Sequence, residues 1–190
     1  MSPLSEADKS LLLALARNAI ETAVRERRLP GTIPNHGVFS QPSRGFVTLR
    51  HRGRLRGCIG HIEPPEPLGE CIVRSAVSAA VEDLRFATVS VEELSELHIE
   101  ISLLTTPAPI ELDEIEIGRH GLLICRGGKR GLLLPQVATE QGLTRERFLE
   151  ETCRKAGVPS TAWKYPGTEI YAFQCEIISE VERGGRRFSE

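Results

Sequence analysis

The sequence GFVTLRHRGRLRGCIG, residues 45–60, predicts a β-hairpin in the first third of the chain. Strand-forming residues occupy positions 45–51 and 54–59, and Arg52-Gly53 between them suits a tight turn. The second strand ends in Gly57-Cys58-Ile59-Gly60, with the cysteine between two glycines. Glycine packs nothing and costs backbone entropy in a strand, so its presence indicates a bend or a close approach.

Helices and further strands flank this hairpin. Apolar spacing and capping residues predict helices from Ser5 to about residue 28, over residues 68–83 and from Thr144 to about residue 157, with a short helical turn after Ser90. Alternation and turn signals predict a turn at residues 63–67 and strands over 97–103, 121–125, 131–134 and 170–178. Because the strands have hairpin spacing, the expected fold class is α+β, with mainly antiparallel sheets and flanking helices.

The domain organisation is expected to be simple. Residues 1–190 are interpreted as a single domain, with a core over residues 11–180 and a flexible tail at 181–190. A smaller lobe is expected to begin near the proline-containing break at Pro107–Pro109.

Composition narrows the class of protein. The net charge of −2 and the 26% of charged residues are ordinary for a globular protein. No apolar run approaches the ~20 residues that cross a bilayer, and the N-terminal residues do not resemble a signal peptide. We therefore expect a cytoplasmic protein without a membrane segment.

The number and spacing of the cysteines also favour a cytoplasmic protein. The five cysteines are odd in number, and no two have Cys-x-x-Cys spacing: Cys58, Cys71, Cys125, Cys153 and Cys175. This argues against a disulfide framework and a structural zinc site. Reduced thiols are the simplest interpretation, and the sequence carries no metal or cofactor fingerprint.

Cys58 is the first candidate for chemistry, as a nucleophile or a ligand-contacting thiol. Side chains alternate along a strand, so Arg54, Arg56 and Cys58 are expected on one face. A nearby guanidinium would lower the pKa of the thiol and favour the reactive thiolate, and Arg56 is also a candidate anion clamp. Gly57 and Gly60 would then let a substrate approach the backbone. The alternative is a structural cysteine whose glycine neighbours permit close packing of a helix.

Four further residues are candidates for the same site. His61 and His120 are candidate bases for the thiol, although an offset of three places His61 opposite Cys58 unless the chain bends. Asp83 and Arg85 follow a helix end. They form either a salt-bridged turn or part of the site, with Asp83 near Cys58 and Arg85 toward the substrate.

A basic segment covers residues 44–56, which contain five arginines and His51 but no acidic residue. Such a patch binds single-stranded nucleic acid when exposed aromatic side chains accompany it, and here only Phe46 is nearby. The acidic run at residues 111–116 is the expected internal partner of these charges.

Several ordered blocks resemble the AMMECR-one domain family, named for the chromosomal region of Alport syndrome, midface hypoplasia and elliptocytosis. The blocks are residues 45–49, 55–60, 83–86, 100–105, 120–122, 131–138, 152–157 and Trp163. The resemblance spans residues 11–180 and implies an α+β fold with a larger and a smaller subdomain. It also implies association with a Memo-like protein and a radical-SAM protein, but it supplies no reaction. Leu84 replaces the family's usual proline, and His61 replaces a frequent threonine.

Three functions remain open at this point. The first is an enzyme or enzyme component that uses the Cys58 thiol. The second is a non-catalytic adaptor or binding module for a partner protein, because no triad, metal spacing or cofactor pattern is present. The third is RNA binding through the basic hairpin, whose affinity would fall steeply with salt.

Overall fold

A computed structural model describes residues 4–180 of the chain, with residues 61–65 described by their backbone alone. Within these residues the helices are α1 (Glu6–Glu26), α2 (Leu68–Val81), α3 (Pro135–Glu140) and α4 (Arg145–Lys155). The strands are β1 (Pro42–His51), β2 (Arg54–Pro67), β3 (Leu97–Leu104), β4 (Ala108–Pro109), β5 (Gly121–Arg126), β6 (Lys129–Leu133), β7 (Glu169–Phe173) and β8 (Cys175–Ser179). The expected α+β class with mainly antiparallel sheets is confirmed. No helix within residues 4–180 is both long and apolar enough to cross a membrane.

The chain divides into two compact units, a larger one and a smaller one. Unit 1 comprises the described residues up to Leu103 together with those from Glu176 onward, and unit 2 is the continuous segment Leu104–Cys175. The chain passes from unit 1 to unit 2 between Leu103 and Leu104, close to the break predicted at Pro107–Pro109. Its return to unit 1 between Cys175 and Glu176 was not predicted.

Unit 1 is built on a sheet with the strand order β2-β1-β3-β8. The central strand β1 pairs antiparallel with both β2 and β3. Helix α1 begins at a capping box, in which Ser5 accepts the amide of Asp8 and the Asp8 carboxylate accepts the amide of Ser5. Helices α1 and α2 pack on the sheet face that carries Val47, Leu49 and the apolar side chains of β3, so the core of unit 1 lies between the helices and this face.

Unit 2 has its own sheet, with the order β4-β7-β5-β6, and its own apolar core. Phe148 of α4 is fully buried in that core. Gly131 of β6 lets α4 approach closely, because a Cβ at this position would lie 2.1 Å from the backbone nitrogen of Ala156. The Cα of this glycine is therefore close-packed against the end of the helix.

Two expectations about elements need correction, and one helix was missed. A turn was expected over residues 63–67, but β2 continues to Pro67 and pairs there with Pro42 and Ser43. Prolines are tolerated in this stretch because β2 is the edge strand of its sheet. The single strand expected over residues 170–178 is two strands, β7 and β8, which belong to different sheets. Helix α3 was not predicted, and the expected tail at 181–190 lies outside the described residues.

Candidate functional site

The hairpin β1–β2 and strand β3 place a row of polar side chains on the sheet face opposite the helices. Thr48 of β1 lies between Cys58 of β2 and Glu100 of β3, and the neighbouring row places Phe46 beside Ser102. Directly opposed residues share a face in antiparallel pairs. We call these five residues the sheet platform. Buried polar side chains on a sheet are more informative than exposed apolar ones, and here Thr48 and Ser102 are both buried.

A β-bulge in the hairpin determines which residues accompany Cys58. Arg50 pairs with Leu55, but the next residue Leu49 pairs with Gly57, so Arg56 is the extra residue on β2. The bulge shifts the alternation by one. It places Leu55 on the same face as Cys58 and Arg54 on the opposite one. The expectation that Arg54, Arg56 and Cys58 share a face is therefore wrong.

The two glycines beside Cys58 have packing reasons. A Cβ at Gly57 would lie 2.1 Å from the carbonyl oxygen of Ala79, so this glycine lets α2 rest directly on β2. A Cβ at Gly60 would lie 2.3 Å from the ring of Phe46, which crosses over that glycine. Gly57 therefore faces the helix and not the platform. This arrangement matches the alternative interpretation, in which the glycines serve close packing.

The Cys58 thiol is half-buried and accepts a hydrogen bond from a hydroxyl. Thr48 Oγ1 donates to Cys58 Sγ at 3.3 Å. Burial raises the pKa of the Cys58 thiol, and the charges of Asp83 and Glu100 raise it further. The Thr48 hydrogen bond and the Arg85 guanidinium oppose this effect without overcoming it. The expected lowering of the thiol pKa is thus reversed, and the thiol is the main form at neutral pH.

Asp83 ties the residues after α2 to the backbone of Cys58. Its buried carboxylate accepts the Cys58 amide at 2.9 Å and the Arg85 side chain at 2.6 and 2.9 Å. Arg85 also donates to the Cys58 carbonyl at 3.2 Å. The Arg85 hydrogen bonds hold the pKa of Asp83 well below its usual range. Residues 83–85 therefore form the salt-bridged turn of the first interpretation, and this turn lies next to Cys58, as the second interpretation expected for Asp83.

The turn keeps its form despite the departure at Leu84. The Phe86 amide donates to the Asp83 carbonyl at 3.0 Å, and the Arg85 guanidinium lies 5.4 Å from the centre of the Phe86 ring. Leu84 itself is 99% exposed. The Asp83 carboxylate also accepts the Arg85 amide at 3.2 Å, so hydrogen bonds close this turn with leucine at position 84.

Arg56 does not stabilise the thiol. It donates to the Glu93 carboxylate at 2.7 and 3.0 Å and to the carbonyls of Ala87 and Thr88 at 2.7 and 3.2 Å. The Arg56 guanidinium lowers the pKa of Glu93 to about 2. The predicted placement of Arg56 beside the thiol is wrong, because its donors hold the segment that follows α2. Its role as an anion clamp stays a prediction.

Neither candidate histidine is shown beside the thiol. His61 belongs to β2, but its side chain lies outside the described residues. His120 belongs to unit 2, where its Nδ1 accepts the backbone amide of Glu116 at 3.1 Å. The only acidic side chain that shares the platform row with Cys58 is Glu100, among the residues whose side chains are described.

Two arginines of the basic segment pair with acids other than those expected. Arg52 pairs with Glu96 at 2.5 Å and Arg56 with Glu93 at 2.7 Å. His51 also lies 3.3 Å from Glu96. The predicted partner run at residues 111–116 lies in unit 2. The charges of this part of the hairpin therefore have partners in unit 1.

Two residues of the site were missed from the sequence. The spacing of Ser90 and Glu93 indicated a cap, and Glu93 does accept the Ser90 amide at 2.8 Å, but nothing indicated its pairing with Arg56. Thr48 becomes the partner of Cys58 only through the bulge, which the residue types do not reveal. Within the described residues, no group of three or more His, Cys, Asp or Glu side chains is placed to hold a metal ion.

A family model, sequence relatives and a solved structure all match most of this chain. The AMMECR1 family model matches residues 13–178. A protein of Methanothermobacter thermautotrophicus is 44% identical over 189 residues, which cover 94% of this chain and 97% of that protein. A protein of Thermococcus gammatolerans is 45% identical and covers 89% of this chain and 88% of its own length. The crystal structure of an uncharacterized protein from Pyrococcus horikoshii superposes with a TM-score of 0.86 at 38% identity, covering 93% of each chain.

Proposed function

The chain belongs to the AMMECR1 family, and from this premise we propose that it is an enzyme, or a component of an enzyme system, that uses the Cys58 thiol. The supporting observation is the placement of Cys58 Sγ on a half-buried polar row, with the Thr48 hydroxyl donating to it. Perturbed titratable groups concentrate at functional sites, and Cys58 and the adjacent Asp83 are both perturbed.

The raised pKa of the thiol constrains the chemistry. A protonated thiol is a poor nucleophile, so the thiolate must form when the substrate binds. Glu100 shares the row with Cys58 and Thr48, so it is the carboxylate that we assign as proton acceptor, through a bound molecule that bridges the thiol and the carboxylate. In this step the sulfur–hydrogen bond breaks, the proton moves to the Glu100 carboxylate, and the electron pair remains on sulfur.

The compartment and partners of this activity also belong to the proposal. We place the protein in the cytoplasm, where its five cysteines would remain reduced. The family resemblance supplies the Memo-like and radical-SAM proteins as partners in a modification pathway. No cofactor of the chain's own is part of the proposal.

The test is a reconstitution read by mass spectrometry. The full chain is mixed with the Memo-like and radical-SAM proteins of the same genome and a small-molecule extract, and new products and protein adducts are recorded. Cys58→Ser is expected to abolish any product that depends on the chain. Cys125→Ser is the matched control, because Cys125 is also a partly exposed strand cysteine. A product that survives Cys58→Ser would overturn the thiol role.

A non-catalytic adaptor is the second candidate. It is favoured by the use of Arg56, Asp83 and Arg85 in hydrogen bonds that build the scaffold. An adaptor would bind its partner equally well with Cys58→Ser, and the reconstituted activity would then require the chain but not its thiol.

A further inference from the structure

A cavity of about 660 Å³ lies in unit 1, between the C-terminal ends of α1 and α2 and the segment 88–91. Its volume is in the range of small-ligand sites. The lining is mainly branched aliphatic, with Val24, Val77, Val81, Val89 and Val91 contributing side chains. The lining residues include no carboxylate. The interior therefore suits a hydrocarbon chain.

Arginine side chains lie at the edge of this cavity. Arg27 adopts a left-handed conformation, with φ of 54°, that ends α1 and turns the chain along the cavity. Arg28 is paired with Glu26 at 2.7 Å. The exposed Arg27 side chain makes no hydrogen bond or ion pair with another described residue. A cation without a partner beside an apolar cavity is complementary to an anionic group on an apolar ligand.

The wall of the cavity is fixed before any ligand arrives. Val89 donates its amide to the Ala80 carbonyl of α2 at 2.9 Å. Arg56 holds the Thr88 carbonyl, and Glu93, held by Arg56, accepts the Ser90 amide. A preformed site loses little entropy of ordering on binding. Arg56 thus acts as a positioning residue for the cavity.

We infer that this cavity binds a medium-chain carboxylate, with its hydrocarbon chain against the valines and its carboxylate at Arg27. The inference is independent of the proposed thiol activity, because it uses different residues, and those that line the cavity belong to α1, α2 and the segments that follow them. A charge-assisted hydrogen bond at Arg27 supplies part of the affinity, and apolar burial supplies the rest.

The test is calorimetric titration of the full chain with decanoate and with decanol. Decanoate is expected to bind saturably and about tenfold more tightly than decanol, as one charge-assisted bond implies. Arg27→Gln should weaken decanoate about tenfold and leave decanol unchanged. Arg25→Gln is the matched control, since Arg25 lies in the same helical turn but does not line the cavity.

Two substitutions separate a specific cavity from general surface binding. Val81→Trp fills the cavity and should abolish binding of both ligands. Val91→Glu is expected to disturb folding less, because Val91 is 41% exposed. This variant should weaken the binding of decanoate while decanol still binds. Circular dichroism confirms that each variant is folded. Absence of saturable heat with the parent chain, or decanoate binding that is unaffected by a folded Val81→Trp or Val91→Glu, overturns the inference.

Discussion

The absence of a Cβ atom at Gly57, next to Cys58, lets α2 pack closely on β2. Gly57→Ala would place a Cβ 2.1 Å from the Ala79 carbonyl oxygen, so α2 and β2 must separate. We expect a loss of about 2–3 kcal/mol in the free energy of unfolding, measured in urea. Gly31→Ala is the control, because nothing lies within 4 Å of a Cβ there. Equal stability of the two variants would contradict close packing at Gly57.

The thiol of Cys58 is the second residue-scale test. Because its pKa is raised above the ordinary thiol value of 9.0, iodoacetamide should label it more slowly than free cysteine at neutral pH, with a midpoint above 9.0. Thr48→Val removes a hydrogen bond that lowers this pKa, so the midpoint should move higher still. Labelling is read by mass spectrometry on the native protein, with buried Cys153 as the internal reference. A midpoint below that of free cysteine would show an activated thiolate instead.

The electrostatic clamp between β2 and the segment after α2 gives a pH prediction at the scale of elements. The pKa of Glu93 in the folded protein is about 2, against the ordinary carboxyl value of 4.5. Since the folded value is the lower one, the stabilisation is complete above about pH 4.5 and is lost as pH falls toward 2. We expect Glu93→Gln to cost about 1–2 kcal/mol at pH 7, after allowance for solvent screening. The difference should shrink as the pH falls toward 2.

Urea unfolding across this pH range measures the effect. Glu92→Gln is the control, because Glu92 is the exposed neighbour and has no arginine among the groups that affect its pKa. If the destabilisation by Glu93→Gln stayed constant down to acid pH, the clamp would not be electrostatic.

Elements also show how far the sequence predicts the fold. Strand β3 and helix α2 were predictable because each has a long, regular apolar pattern. Helix α3 has six residues, too few for a period to be visible. The split of β7 from β8 depends on which sheet each joins, which is a tertiary property. The bulge at Arg56 likewise depends on how β2 pairs with β1. The residues that neighbour Cys58 across the sheet could therefore not be predicted from the sequence.

Across the whole molecule, the candidate site combines segments that are far apart in sequence. Asp83 contacts Cys58 across 25 positions, and Glu93 contacts Arg56 across 37. Residue types could nominate Cys58 and Asp83, but only the packing of α2 on β2 brings them together. The same packing explains Gly57, so a motif that suggested chemistry also specifies how a helix lies on the sheet.

The two units each bury their own apolar cluster, and no residue whose side chain the structure describes belongs to both clusters. This separation predicts that a core defect in one unit spares the other. Phe148→Ala should destabilise unit 2 by about 3–5 kcal/mol, because it opens a cavity around a fully buried ring. Hydrogen exchange should then accelerate in α4, β5, β6 and β7 while β1 retains its protection.

Ile72→Ala in α2 is the reciprocal variant, since Ile72 is fully buried in the core of unit 1. It should accelerate exchange in β1 and β2 and leave β5 unchanged, when mass spectrometry reads peptides from both units at several exchange times. If either variant accelerated exchange equally across both units, the chain would unfold as one cooperative body. Independent responses would instead mean that the platform around Cys58 depends for its stability on the core of unit 1 alone.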